Sequence, residues 1–182
     1  MLYLFIKKFK IMKKLLFIMA AIVFGTTSVY TQEMSKAEVF DLLVMWQGKW
    51  KNTATFEKSE WTPKSFKRHG ITESNLILSN NYLEIVVYSG DSITKHLICY
   101  DQVSKKFNRW EFKNDGSNNF WIGKWDKDNK KMTWDFIDFS GSGINGKIIE
   151  KFESKGIIKT QVIMKDNRDK SLLLINSLKQ KI

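Results

Sequence analysis

The spacing of hydrophobic and polar residues changes once along the chain. From Ala37 onward, Phe40, Leu43 and Val44 recur at helical spacing, with Trp46 close behind. Ser35-Lys36-Ala37-Glu38 has the form of a capping box, in which the serine bonds the N3 amide and the glutamate bonds back. A short amphipathic helix over about 36–46, stopping at Gly48, is predicted.

Beyond Gly48 the period falls to two. Runs rich in aromatic and β-branched residues alternate with turn clusters, predicting strands at 48–57, 66–78, 82–89, 92–100, 106–113, 119–126, 131–139, 145–153, 156–164 and 171–179. The separators carry turn chemistry: Asn80-Asn81, Gly90-Asp91, Asn114-Asp115-Gly116, Asp128-Asn129, Gly141-Ser142-Gly143 and Lys155-Gly156. Pro63 falls in a loop, where its missing N–H costs no ladder bond. Leu172–Ile175 with Leu178 would also suit a helix. The preceding Asp166-Asn167-Arg168-Asp169 reads as a hairpin turn, so a strand is expected. So many short strands need closure or stacking to protect their edges, and short local turns favour an up-and-down arrangement. The expected fold is all-β: a single antiparallel up-and-down barrel of eight to ten strands behind a short helix, over residues 32–182.

Several short motifs resemble those of a known group. Gly48-Lys49-Trp50, entered from a short helix, resembles the G-x-W signature of lipocalins and their calycin relatives. Cys99-Tyr100-Asp101 with Lys106-Phe107, and Gly123-Lys124-Trp125-Asp126 followed by Lys130 and Met132-Thr133, resemble successive hairpins of a family of secreted bacterial lipocalin-like domains. The resemblance spans roughly residues 38–138. It implies a β-barrel of uncharacterised role and supplies no catalytic residues. The chain departs from the pattern in having Cys99 where the family favours glycine. It also has no arginine near its C-terminus to stack on Trp50, which leaves Lys179 as a weaker, non-planar substitute. Gly48 and Trp50 are expected to close the barrel end, glycine by permitting a tight turn and tryptophan by plugging it. Tyr100-Asp101 reads as a turn with Asp101 capping local amides.

Charge changes the picture once its distribution is seen. The 182 residues carry a formal +11, but five lysines and no acid lie in residues 1–31. There a basic stretch precedes the apolar run Leu15–Phe24 and then Gly25-Thr26-Thr27-Ser28, the order of a secretory signal peptide. Leu15 to Tyr30 is 16 residues, short of the roughly 20 that span a bilayer. Cleavage after Val29-Tyr30-Thr31 is expected, giving a secreted or periplasmic chain, and no cysteine stands nearby to make a lipoprotein. Met12, ahead of Lys13-Lys14, would be a cleaner start, with residues 1–11 as an upstream start choice. The remaining 25 basic and 19 acidic residues, +6, are interleaved as at Asp126–Lys131. Phosphate tracking needs a concentrated basic stripe, so no nucleic-acid partner is expected; weak attraction to an anionic envelope surface is.

Enzyme motifs are absent: no G-x-S-x-G elbow, Walker loop, G-x-G-x-x-G or H-E-x-x-H. No cofactor and no catalysis are expected. Cys99, the only cysteine, excludes an internal disulfide and reads as a buried, inert thiol between Ile98 and Tyr100. His69 and His96 would make a metal pair only if their strands aligned. Glu84, Glu111 and Asp135 would make acid–base partners, although solvent-facing strand positions explain them more simply.

All seven tryptophans lie after residue 45, four of them in the three strands from 106 to 139. Core packing absorbs most of them; the rest suit an apolar cavity lined by flat rings. The expected ligand-binding set is Arg109, His96, Tyr88, Trp110, Trp121 and Trp134, with Phe112 and Phe136 as further rings. Arg109 is the polar handle, able to pair with a carboxylate or phosphate, unless it is solvated and pairs with Glu111. The leading expectation is therefore an exported barrel that binds a small, partly apolar or amphiphilic ligand without chemistry. The alternative is a solid barrel that binds an envelope protein or glycan through exposed loops, notably Glu57–Phe66 with Trp61. An enzyme using His96 or Glu111 in the lumen is the least favoured.

Overall fold

A computed structural model describes residues 33–154 and 156–182; the expected signal segment, 1–31, lies outside the described residues. Helix α1 (Lys36–Val44) begins at the capping box as predicted. The Ser35 side chain accepts from the Glu38 amide at 3.2 Å, and a Glu38 carboxylate oxygen accepts from the Ser35 amide at 3.0 Å. Val39, Leu42 and Leu43 form its buried face.

Ten strands follow: β1 (Gly48–Phe56), β2 (Phe66–Ile77), β3 (Tyr82–Ser89), β4 (Ser92–Asp101), β5 (Lys106–Lys113), β6 (Asn118–Asp126), β7 (Lys131–Phe136), β8 (Asn145–Ser154), β9 (Ile157–Lys165) and β10 (Ser171–Lys181). Each pairs antiparallel with the next, and β1 pairs with β10 to close the ring. The fold is a closed antiparallel up-and-down barrel with no free sheet edge. Two expectations shift. Strand β7 stops at Phe136, because the Asp138 carboxylate gathers the Ser140 and Ser142 hydroxyls and the Gly143 amide at 2.8–3.1 Å, folding 137–144 into a loop. Strand β10 runs on to Lys181, whose amide donates to the Gly156 carbonyl at 2.9 Å.

One end of the barrel is sealed. Gly48 takes φ +114°, a conformation that side-chain-bearing residues avoid, and so lets the chain turn from helix into strand. Trp50 then points inward and donates its indole N–H to the Trp46 carbonyl at 2.8 Å. Trp46 meets Phe152 edge-on, ring centroids 4.7 Å apart, and Leu43, Met132 and Ile158 complete the plug. The residues ahead of the helix and its first turn are pinned to the turns at this end. The Met34 amide donates to the Tyr100 hydroxyl, and Glu33 and Glu38 pair with Lys105 and Lys127. The cation over Trp50 is Lys181, 5.4 Å from the ring centroid, and not Lys179. Lys179 and Lys181 share the inward face of β10, but Lys181 is the one level with Trp50 in the β1–β10 register, while Lys179 stands nearer the lumen. Asp101 caps its turn as expected, accepting from the Val103 amide and the Ser104 hydroxyl at 2.8 Å each.

Candidate functional site

Above the plug the interior opens into a cavity of about 550 Å³, so the barrel is not solid. Its mouth lies at the opposite end, ringed by Phe56, Trp61, Arg68 and the β3–β4 hairpin. Next comes an apolar belt that includes Val87, Phe136, Ile148, Val162 and Leu173. The innermost part is polar and charged, and the alternation of β4–β6 and β8–β10 puts it there.

In β5, Phe107, Arg109 and Glu111 take the inner face, and all three are buried. Arg109 is 7% exposed, so it is not a solvated residue. Its Nε donates to His96 Nδ1 at 3.3 Å and its NH1 lies 3.8 Å from Glu150 Oε2, beyond hydrogen-bond reach. Its Cζ sits 5.5 Å over the Trp134 ring. Among the described residues, the guanidinium makes no other hydrogen bond, which leaves its terminal N–H groups undonated. Glu150 is held by Lys179 Nζ at 3.1 Å and by the Trp134 indole N–H at 2.9 Å. Burial pushes the Glu150 carboxyl up, but Lys179, Arg109 and the Trp134 bond outweigh it and hold the group below its usual range.

His96, 5% exposed, is the neighbouring device. Burial first, then the cations Arg109, Lys179 and Lys113, push its imidazole well below the ordinary range, so it is neutral at pH 7. A guanidinium can only donate, so Nδ1 is the acceptor and the ring proton sits on Nε2. The 3.7 Å approach of Nδ1 to Glu111 Oε2 is therefore no ion pair. Glu111 is instead held by Asn119 at 2.9 Å and Lys113 at 3.5 Å.

Among the described residues, three cavity-lining side chains each bury a polar atom without a partner: Trp121 Nε1, Asn52 Oδ1 and Thr160 Oγ1. Trp121 stands directly across from Arg109 in the β5–β6 ladder, on the same inner face. Asn52 pairs with Lys179 across β1–β10, and Thr160 with Glu150 across β8–β9. A buried polar group without a partner costs about 1–3 kcal/mol, a penalty that a ligand group bonded to it would relieve.

Of the expected ligand set, Arg109, His96 and Trp121 meet in the cavity. Trp134 faces inward but is fully buried beneath the cluster, where it supports Glu150 and Arg109. Trp110 and Tyr88 point outward and leave the set. Trp110 packs on Phe120, centroids 5.2 Å apart, and Tyr88 is 42% exposed. The reason is the strand period: adjacent residues face opposite sides, so Arg109 inward puts Trp110 outward. Phe112 is likewise exposed on the outside, whereas Phe136 lines the cavity. Glu111 lies inward, contrary to expectation, while Glu84 and Asp135 pair with Lys95 and Lys147 outside. His69 bonds Thr53 on the outer face at 3.2 Å and His96 lies inside, so the two cannot share a metal. Cys99 is buried, and burial raises its thiol, as for an inert side chain. Lys179, Glu150, Asn52 and Thr160 were not anticipated as lumen residues.

No family model and no curated protein matches the sequence. Solved structures do. A protein of unknown function from the DUF3598 family of Nostoc punctiforme PCC 73102 superposes with a TM-score of 0.52 at 5% identity, over 77% of this chain and 49% of that one. This chain thus spans about half the length of that protein. The S-type phycobiliprotein lyase CpeS of Guillardia theta superposes with a TM-score of 0.51 at 10% identity, over 87% of this chain and 98% of that one. At these identities the likenesses show the fold alone, a closed, lipocalin-like β-barrel. The expectation of a barrel without chemistry is corrected by the second match. A barrel of this fold is a lyase, so neither the fold nor the lack of short enzyme motifs excludes catalysis.

Proposed function

We propose that the barrel takes a small, partly apolar ligand into its lumen, anionic group first, with Arg109 as the anchor. The observation that carries this reading is a buried guanidinium on the cavity wall whose terminal N–H groups donate to none of the described residues. A volume of about 550 Å³ is in the range of small-molecule sites, and the order of linings matches an amphiphile entering head first. Lys179 and Lys113 add positive charge that Glu150 and Glu111 offset, so among the described residues of the cavity floor Arg109 is the cation left for an incoming anion. A bilin-like carboxylate belongs among the candidates because a phycobiliprotein lyase shares the fold.

Titration of tryptophan fluorescence with dodecanoate and dodecanol tests the reading, since Trp121 lines the cavity. Dodecanoate should bind the more tightly, and Arg109→Gln should weaken it by about tenfold or more while leaving dodecanol unchanged. Equal affinities for acid and alcohol in both proteins would overturn the anchor. Biliverdin, added to the same titration, asks whether the site takes a larger dicarboxylate.

Export is part of the same proposal. It is supported by the basic, apolar and polar order of residues 1–31. Mass spectrometry of the protein recovered from cell fractions should find a chain that starts near Gln32 outside the cytoplasm. A full-length cytoplasmic chain would contradict it.

A further inference from the structure

The undonated N–H groups of Arg109 and Trp121 explain an anion; they leave Asn52 unexplained. Asn52 is 9% exposed and donates through Nδ2 to Thr72 Oγ1, while its Oδ1 accepts from nothing. An unpartnered acceptor has no use for a second carboxylate. It calls for a donor, an O–H or N–H, and the described protein residues supply none. Thr160 Oγ1, also unpartnered, can serve in either sense.

The two kinds of unmet demand stand on opposite walls. Arg109 and Trp121 belong to β5 and β6, and Asn52 and Thr160 to β1 and β9. The walls nevertheless converge at the cavity floor. Arg109 NH1 comes within 3.8 Å of Glu150, whose cross-strand neighbour is Thr160, and Glu150 bonds Lys179, whose cross-strand neighbour is Asn52. One compact head group seated there would face both walls at once.

Resting on the reading of the lumen as an anion-first ligand site, we propose that the ligand's buried end is a carboxylate with an adjacent hydrogen-bond donor, as in a 2-hydroxy acid. The carboxylate oxygens accept from Arg109 and the Trp121 indole, and the hydroxyl donates to Asn52 Oδ1. Asn52 is then the residue that separates a hydroxy acid from a plain fatty acid. A site built to bond a hydroxyl discriminates strongly against the analogue that lacks it, because its own polar atom is left bare.

Full-length protein titrated with 2-hydroxydodecanoate and with dodecanoate distinguishes this proposal from the reading beneath it. The hydroxy acid should bind about tenfold more tightly, the worth of one good hydrogen bond. Asn52→Ala should bring the ratio of the two affinities to near one while changing dodecanoate binding little. Trp121→Phe, an independent variant in another wall, should weaken both acids together. Equal affinity of the wild-type protein for the two acids, with the dependence on Arg109 intact, would overturn the hydroxy-acid assignment and leave the anionic site standing. Failure of either acid to bind would overturn both.

Discussion

The sealed end and the open end of this barrel are built from the same strands but spend their inward positions differently. At the sealed end the inner face carries Trp50, Phe152, Met132 and Ile158, and the Trp50 N–H is bonded to a carbonyl; Trp46 Nε1 is the exception in lacking a partner. A few residues along the same strands, inward positions are held by Arg109, Glu111, Glu150 and Lys179 around open space. Apolar packing there would stabilise the fold at least as well, since buried ion pairs rarely repay their desolvation against hydrophobic replacements. The contrast sets a plug that holds the fold together against a polar floor that contributes little to stability and is where the proposed ligand would sit.

The largest effect expected from breaking this division lies in the plug. Trp46→Ala removes a 2% exposed ring from its contact with Phe152, and should cost about 3–5 kcal/mol in a denaturant melt. Dodecanoate affinity of the folded fraction should stay unchanged. A shift of the midpoint no larger than that of Arg109→Gln would erase the distinction between the two ends.

A smaller effect comes from acid. His96 in the unfolded chain titrates near 6.5, and in the fold well below that. Between those values the unfolded state holds the extra proton, so stability is full above about pH 6.5 and falls as pH drops, by up to about 1.4 kcal/mol per unit. Glu150, held low, adds a further loss only as pH falls below about 4.5 toward its folded value. Urea melts from pH 7 to 5 should therefore slope in the wild-type protein and flatten in His96→Gln. Parallel slopes would mean that the imidazole is already protonated in the lumen.

The smallest effect concerns the rim. The Ser140 hydroxyl and the backbone amides beyond it hold the Asp138 carboxyl down to about 2. Those bonds are complete above the ordinary Asp value and are lost only as pH falls through about 2, so the 137–144 loop should keep its hold through mild acid. Asp138→Asn should speed exchange of the Gly143 amide at neutral pH and leave the melting midpoint almost unmoved.

The strands were legible because turn chemistry punctuates them. Gly90-Asp91, Asn114-Asp115-Gly116 and Asp166–Asp169 fall between strands, and most strand limits came within two residues of the prediction. The lumen was less legible, because a charged residue in a strand is read by default as facing water. The correcting signal was nevertheless present. Glu150 is flanked at two-residue spacing by Ile148 and Phe152, and Arg109 by Phe107, patterns that mark an inward face. The same period sets Trp110 outside whenever Arg109 is inside. Asn52 lies at the same spacing from Trp50, whereas Lys179 gave no such signal, since its floor position depends on how β1 and β10 meet.

That meeting has a consequence for how the molecule comes into being. The ladder between β1 and β10 joins residues far apart in sequence; the Asn176 side chain, for instance, reaches Glu57 119 positions earlier. Every other pairing in the ring is between sequence neighbours and can form locally. The final seam is thus the slow, entropically expensive step. Until β10 has been synthesised and returns to β1, both strands remain open edges, and the floor that needs Asn52 beside Lys179 does not exist. Assembly of the site and completion of the fold are therefore a single event in time.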